Sequence, residues 1–382
     1  MATTVILGGG VGGLVTASTL RRRLDRKHRI ILVERERQHV FTPSFLWMML
    51  GWREPHEIAR DLASLERKGI EVVQDEIREI DPGARQVQTE RRTLSGDYLV
   101  LALGAEGWLG GIPGLAGAGH NVYDLQGTLG LRDALRQFRE GRVAVLIAGL
   151  PFRCPAAPYE AAMLIEASLS RRGLRERVQV DVYTPETLPM PVAGRAMGEA
   201  VKGLVESRGV GFHPQHKVVA VDPERRELAF ENGARAGYDL LVVIPPHRCA
   251  PVVKEAGLTV EPGWAPVDKG TLQTAHERVF AIGDTTLIKL PVGLPLPKAG
   301  VFAHGQGEVV AENIAAEVAG RSGARRFDGF GSCIIEMGHG VAAYAKGNFY
   351  AEPAPAMTMR SPSRLWHWGK IYFEKRWLRR WF

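Results

Sequence analysis

The sequence predicts an α/β fold: two parallel-sheet domains, each opening on a strand, a turn and a helix, followed by a C-terminal module. Three observations predict it. TTVILGGGVGGLVTASTLRRRL (3–24) reads as strand, glycine turn and helix, with RIILVERE (29–36) as the next strand. DYLVLALGA (97–105) and ERVFAIGDTT (277–286) read as further buried strands, the first ending in small residues and the second in Gly283-Asp284. A second strand-to-helix passage starts at Val143.

The first turn is the most specific element. Gly8, Gly10 and Gly13 fit GxGxxG. The first glycine allows the tight turn, the second lets backbone approach a pyrophosphate, and the third lets helix pack on strand. The helix start offers N–H groups and a positive dipole end to phosphates. Glu34 follows about 20 residues on, where an acid accepts hydrogen bonds from ribose hydroxyls. Both domains are therefore read as Rossmann-like: 1–110 with 265–325 as the dinucleotide domain, 111–264 as the second domain, and 326–382 as the C-terminal module.

Composition sets the limits. A chain of 382 residues, 45% hydrophobic and 24% charged, is long enough for two or three domains with real cores. The three cysteines, Cys154, Cys249 and Cys333, are far apart and form no CxxC, so neither a secreted disulfide framework nor a metal site is expected. No basic leader precedes the apolar residues 3–9, so no export signal is expected, and no run of about 18 apolar residues predicts a spanning helix. The net charge is +7, and residues 360–382 hold seven basic residues against one acid. The remainder is almost neutral, which argues against nucleic-acid binding.

The glycine loop and the strands at 97–105 and 277–286 together resemble the two-dinucleotide-binding-domain flavoproteins, which include disulfide reductases and quinone-linked dehydrogenases. The resemblance covers most of the chain. It implies FAD in the first domain, with Asp284 holding the ribityl chain, and an NAD(P)H-type domain inserted from Val143. KAGVFAHGQGEVVAENIAAEV, from Lys298, reads as a helix of about 20 residues. Its start would face the flavin pyrimidine edge, with Lys298 either stabilising the reduced ring or solvated. Ala299, Ala303, Gln306 and Gly307 resemble the spacing of the quinone-linked members, and equally suit close helix packing.

The second unit lacks a glycine cradle. GLPFRCPAAPYE stands there instead. Pro151, Pro155 and Pro158 donate no backbone N–H, and Phe152, Arg153 and Cys154 put side chains where a pyrophosphate needs bare backbone. An NADH site is disfavoured. PFRCPAAPYE resembles the cysteine loop of sulfide:quinone oxidoreductases and of the flavin subunit of flavocytochrome c sulfide dehydrogenases; GFGSCIIEMG resembles that family's second cysteine context, FGxC. The resemblance implies a Cys154/Cys333 redox pair beside the flavin. There sulfide becomes zero-valent sulfur or polysulfide, and two electrons pass through FAD to a membrane quinone. Cys333 would face the flavin and Cys154 carry the sulfur, though the roles are interchangeable. Thiolate is the nucleophile, so a positive or hydrogen-bonding setting is expected. Glu160 would move a proton or serve only as a first-turn acid.

Two features depart from the wider family. No third cysteine occurs around GHNVYDLQGTL (119–129), and Cys249 lies in another segment. With no cysteine before residue 154, FAD cannot be attached near Thr42 through sulfur and is expected to be non-covalent.

The tail LWHWGKIYFEKRWLRRWF holds four of eight tryptophans. On a helical wheel Ile371, Phe373, Trp377, Leu378, Trp381 and Phe382 share one half, which Glu374 interrupts. Lys375, Arg376, Arg379 and Arg380 share the other, with Tyr372 among them. This is the pattern of an interfacial helix on an anionic bilayer, and equally of a helix docked on the protein or at a dimer contact. A peripheral membrane protein is expected, with homo-oligomer formation left open. Ile334, Phe349 and Phe373 are candidate quinone walls. Competing readings are the flavin subunit of a cytochrome-linked sulfide dehydrogenase, a type II NADH:quinone dehydrogenase, and a non-enzymatic FAD-stabilised interaction protein.

Overall fold

The computed structural model describes residues 1–321 and 325–382. Its first sheet is built from β1 (Thr3–Leu7), β2 (Arg29–Glu34), β3 (Glu71–Gln74) and β4 (Tyr98–Leu101), with helix α1 (Val11–Arg23) between β1 and β2. The second is built from β5 (Gly141–Ile147), β6 (Val178–Tyr183), β7 (Gly211–His213) and β8 (Leu240–Ile244), with helix α2 (Ala157–Arg171) between β5 and β6. The chain then returns through β9 (Val279–Ala281) and helix α3 (Gly300–Val318). It ends in β10 (Phe330–Glu336), β11 (Ala342–Asn348), β12 (Ala356–Ser363) and helix α4 (Arg364–Arg380).

The first sheet has the order β9-β4-β1-β2-β3, all parallel. The second has the order His120–Asn121, β8, β5, β6, β7, also all parallel. In each unit a three-stranded antiparallel ribbon, at 77–95 or 218–237, precedes the last inner strand. The two units are thus one topology built twice. Their inner strands are continuous apolar runs because both faces are covered: Val5, Ile6, Leu7, Val143, Val145 and Ile147 are fully buried.

The chain crosses between the units on Ala105–Gly107 and His247–Cys249, which pair antiparallel. Helices α1 and α3 pack so closely that a Cβ on Gly307 would lie 2.9 Å from the Gly12 carbonyl oxygen. Small residues at this crossing therefore do serve packing. The C-terminal strands form an antiparallel sheet of order β10-β11-β12, in which Cys333 sits opposite Ala345.

Helix α4 departs from the membrane-facing wheel. Trp377, Leu378 and Trp381, assigned to lipid, are buried against the body at 4%, 3% and 0% exposure. Trp377 packs on Phe41 and His39, and the Trp381 carbonyl accepts a 2.9 Å hydrogen bond from Lys68 Nζ. Glu374 marks the docked face: its carboxylate accepts from Arg53 Nη2 at 2.8 Å and from Ser44 Oγ at 2.5 Å. The apolar residues left outward are Leu365, Trp368, Tyr372 and Phe373. The loop 41–52 goes to the core: Phe41, Phe45, Leu46, Trp47, Met48 and Met49 are all buried.

Candidate active site

One cavity of about 1940 Å³ runs from the first glycine turn, past both cysteines, to the C-terminal sheet and helix. Its first end is a cradle. Gly8 has φ +102°, and a Cβ there would lie 2.5 Å from the Ala102 carbonyl oxygen; a Cβ on Gly13 would lie 1.8 Å from that of Gly8. A Cβ on Gly10 would meet nothing within 4 Å, so this backbone is open to a ligand. Helix α1 starts with no side-chain cap and no first-turn acid, leaving its N–H groups for an anion. Glu34 lines the cavity, and its Oε2 accepts the Gly9 N–H at 2.7 Å.

Across the cavity, Gly283 donates its N–H to Gln306 Oε1 at 2.6 Å, while Gln306 Nε2 is buried without a partner. Asp284 lines the cavity, and burial raises its pKa against the pull of Lys298 and Arg153. Lys298 lines the cavity but is not solvated. It is 7% exposed, its ammonium lies 3.3 Å from the centroid of the Trp264 ring, and it donates to the carbonyls of Asp284 (2.7 Å) and Thr286 (3.3 Å). Burial lowers its pKa to about 8, offset in part by Asp284 and Cys249.

The corresponding turn of the second unit has a different build. Cys154 is left-handed, at φ 52°, a conformation that costs a non-glycine residue about 1–2 kcal/mol. Two backbone bonds hold it: its N–H donates to the Lys298 carbonyl at 2.6 Å, and its carbonyl accepts the Ala157 N–H at 2.9 Å. The second bond occupies the start of α2, where a phosphate would dock. The Phe152 side chain is buried. Glu186, three residues past β6, is the acid nearest the place that Glu34 has in the first unit. It is buried, accepting from the Tyr159 and Thr184 hydroxyls. The Ala157 N–H and the Glu186 carboxylate, two groups that a nucleotide would engage here, are thus already engaged within the protein.

Cys154 and Cys333 line the same cavity as free, half-buried thiols. Their setting is not the positive one expected. Burial, then the Glu160 carboxylate, pushes the Cys154 pKa up to about 12, with Lys370 opposing. Cys333 is raised well above the usual thiol range by burial, then by Glu160 and Cys154. Both sulfurs thus register Glu160 and Lys370, and Cys333 also registers Cys154. Glu160 is 1% exposed, with Oε2 accepting from Lys370 Nζ and from the Glu336 N–H at 2.9 Å. Cys249 is buried on the crossing strand, outside the cavity lining, with its pKa raised to about 11 chiefly by burial.

Ile334, Phe349 and Phe373 all line the cavity. Phe349 is 5% exposed and packs edge-on against Phe302, so it is also core. Phe373 is half-exposed and lies 5.9 Å from Phe41 between ring centroids. Among the described residues, no group of three or more metal-ligating side chains gathers. Sequence reasoning missed Lys370, Glu336 and His367. Lys370 reads there as one more basic tail residue, and only the interruption by Glu374 signalled that this helix meets charge inside the protein.

A duplicated parallel-sheet unit with a glycine cradle in one copy is a family-level signature, and the model of one family matches residues 2–307: pyridine nucleotide-disulphide oxidoreductase. The chain belongs to that family. Its relatives include the mitochondrial sulfide:quinone oxidoreductases of Mus musculus, 26% identical over 91% of this chain and 78% of that one, and of Dictyostelium discoideum, 28% identical over 87% and 74%. Among solved structures, the sulfide:quinone oxidoreductase of Aquifex aeolicus superposes with a TM-score of 0.89 at 24% identity, over 99% of this chain and 91% of that one. In this member of the pyridine nucleotide-disulphide oxidoreductase family, the second nucleotide turn carries a cysteine and three prolines in place of the glycines.

Proposed function

We propose that the protein is an FAD-dependent sulfide:quinone oxidoreductase in which Cys154 and Cys333 oxidise sulfide to zero-valent sulfur and a quinone receives the two electrons. The observation that carries this reading is the single cavity joining the glycine cradle to both cysteines. Sulfide:quinone oxidoreductases among the relatives support it.

The residues fit FAD. The open backbone at Gly10, the uncapped start of α1 and Glu34 suit its pyrophosphate and ribose. Asp284 lines the far side. FAD, when bound, supplies a two-electron acceptor that can pass those electrons on to quinone.

The protein's own residues handle the sulfur. With the pair oxidised to a disulfide, hydrosulfide attacks one sulfur; an S–S bond forms to the incoming sulfur as the old one breaks, leaving a persulfide and a thiolate. The raised thiol pKa values favour protonating that thiolate, so the nucleophile is the incoming hydrosulfide and the leaving sulfur takes a proton. Glu160, bonded to Lys370, is proposed to exchange that proton with the sulfur. Cys154 is proposed to carry the sulfur chain, because its loop meets open cavity at Leu150 and Met190; Cys333, on β10, is proposed to take the flavin side.

The quinone is assigned to the end walled by Ile334, Phe349 and Phe373, reached beside the outward face of α4. Peripheral membrane contact is assigned to Leu365, Trp368, Tyr372 and Phe373, with Arg376, Arg379 and Arg380 at the headgroups. Among the described residues no helix is long and apolar enough to cross a membrane. The test is anaerobic mixing. Sulfide should bleach the flavin and a quinone restore it, while NADH should leave it oxidised; bleaching by NADH alone would move the protein to the NADH:quinone class.

A further inference from the structure

Four ionisable side chains meet behind Cys333. Lys370 Nζ bonds Glu160 and also the Ile334 carbonyl at 3.0 Å. The Glu336 N–H bonds Glu160, and the Glu336 carboxylate meets His367 Nδ1 at 3.0 Å. Helices α2 and α4 thereby grip the cysteine strand at the residue after Cys333 and again at Glu336. Glu160 and Glu336 are almost fully buried, at 2% and 1% side-chain exposure, and Lys370 is at 12%. His367, at 18%, is the most exposed of the four.

Charge explains the grouping. Two carboxylates and one ammonium leave one negative charge in a dry setting, where an unbalanced charge is costly. One proton held within the cluster balances it. Burial raises the Glu336 pKa against the pull of Lys370 and His367, and in Lys370 burial is outweighed by Glu160, Glu336 and Cys333, so that it stays charged. The groups facing His367 are Glu336 on β10, Lys370 on its own helix and the Trp47 ring, beyond which lies the Arg53–Glu374 pair; His339 and Glu166 form a separate pair at 3.8 Å.

We propose that Glu160, Lys370, Glu336 and His367 form a proton relay between the cysteine pair and solvent, with His367 as its outlet. This rests on the sulfide-oxidising reading. As H₂S becomes zero-valent sulfur, it loses two electrons and two protons. A two-electron acceptor that also took up one proton would leave the second proton to depart from the sulfur site. Glu160 receives it; Lys370 stays charged and steadies both carboxylates, and a bridging water carries the proton from Glu160 to Glu336. Glu336 hands the proton to His367, which releases it. The chain refills in the opposite sense when quinone takes up a proton.

The experiment is stopped-flow reduction of the intact flavoprotein by sulfide across pH, in the wild type, His367→Gln and Glu336→Gln, with flavin absorbance confirming the fold. The relay predicts a loss of about 10²-fold in His367→Gln, recovered by added imidazole, and a loss in Glu336→Gln that imidazole does not recover. It also predicts that the double variant is no slower than the slower single variant. If His367→Gln reduces at the wild-type rate with the wild-type pH profile, or if its loss is indifferent to imidazole, the relay is overturned while the sulfide reading stands. If sulfide fails to bleach the wild type, that reading falls and the relay falls with it.

Discussion

Cys154 owes its place to its backbone rather than to its side chain, since its N–H and carbonyl make the bonds that fix the turn. Cys154→Ser is therefore expected to keep the loop and the yellow FAD while sulfide-dependent quinone reduction falls to background. Cys333→Ser is expected to do the same; turnover in either variant would refute the pair. Cys249→Ser, outside the cavity, is expected to leave turnover unchanged in the same assay. The thiol pKa gives a further test. A proton held more tightly in the fold than in the unfolded chain favours folding below the ordinary thiol pKa of 9.0, a contribution lost as pH climbs toward about 12. Over the same range the reduced thiols stay protonated. Iodoacetamide should therefore alkylate them more slowly at about pH 8 than it does a free cysteine, and faster labelling would contradict the setting described. The cysteines were legible because their neighbours, PFRCPAAPYE and FGSC, form a pattern. Their electrostatic setting was not, because Lys370 reaches both, and Glu160 reaches Cys333, only through folding.

At the level of elements, α4 does two jobs that a helical wheel cannot separate. The wheel finds an apolar half, but apolar side chains serve a protein core and a bilayer equally well. The buried Glu374–Arg53 pair decides which face turns inward. Arg53→Met leaves Glu374 buried without its counter-charge and should cost about 3–5 kcal/mol, read as a lower denaturant midpoint. Deleting 365–382 would remove Trp377, Leu378 and Trp381 from the core, so it tests stability as much as attachment. The sharper variant replaces only the outward Leu365, Trp368 and Tyr372 with serine. It should keep its denaturation midpoint and lose co-sedimentation with anionic vesicles; unchanged sedimentation would count against this face. The parallel strands were legible from their apolar runs and the first turn from its three glycines. The antiparallel ribbons at 77–95 and 218–237 were not, being short and half-exposed.

For the whole molecule, the proposed site draws on three places along one cavity: the cradle on the first unit, the cysteine turn on the second, and aromatic walls on the C-terminal sheet and helix. Each comes from a different stretch of chain, and the crossing strands at 105–107 and 247–249 hold the two sheets together. Because Lys298 gives its carbonyl to Cys154 and its ammonium to the carbonyl of Asp284, it joins the two halves of the site. Its pKa of about 8, lowered mainly by burial, implies a charged amine below that pH and a neutral one above. A pH titration of the bound flavin's spectrum should show an inflection near about 8 in the wild type and none in Lys298→Met.

Two units of one topology keep the same sheet order and differ in the loop after their first strand, where the later one has Cys154 and three prolines in place of glycines. Turning a nucleotide loop into a cysteine loop is thus a local change in the chain. The way back is harder: restoring glycines at Pro151 and Cys154 would reopen the turn, but Glu186 would still be held by Tyr159 and Thr184, so any designed reversal must free that carboxylate as well.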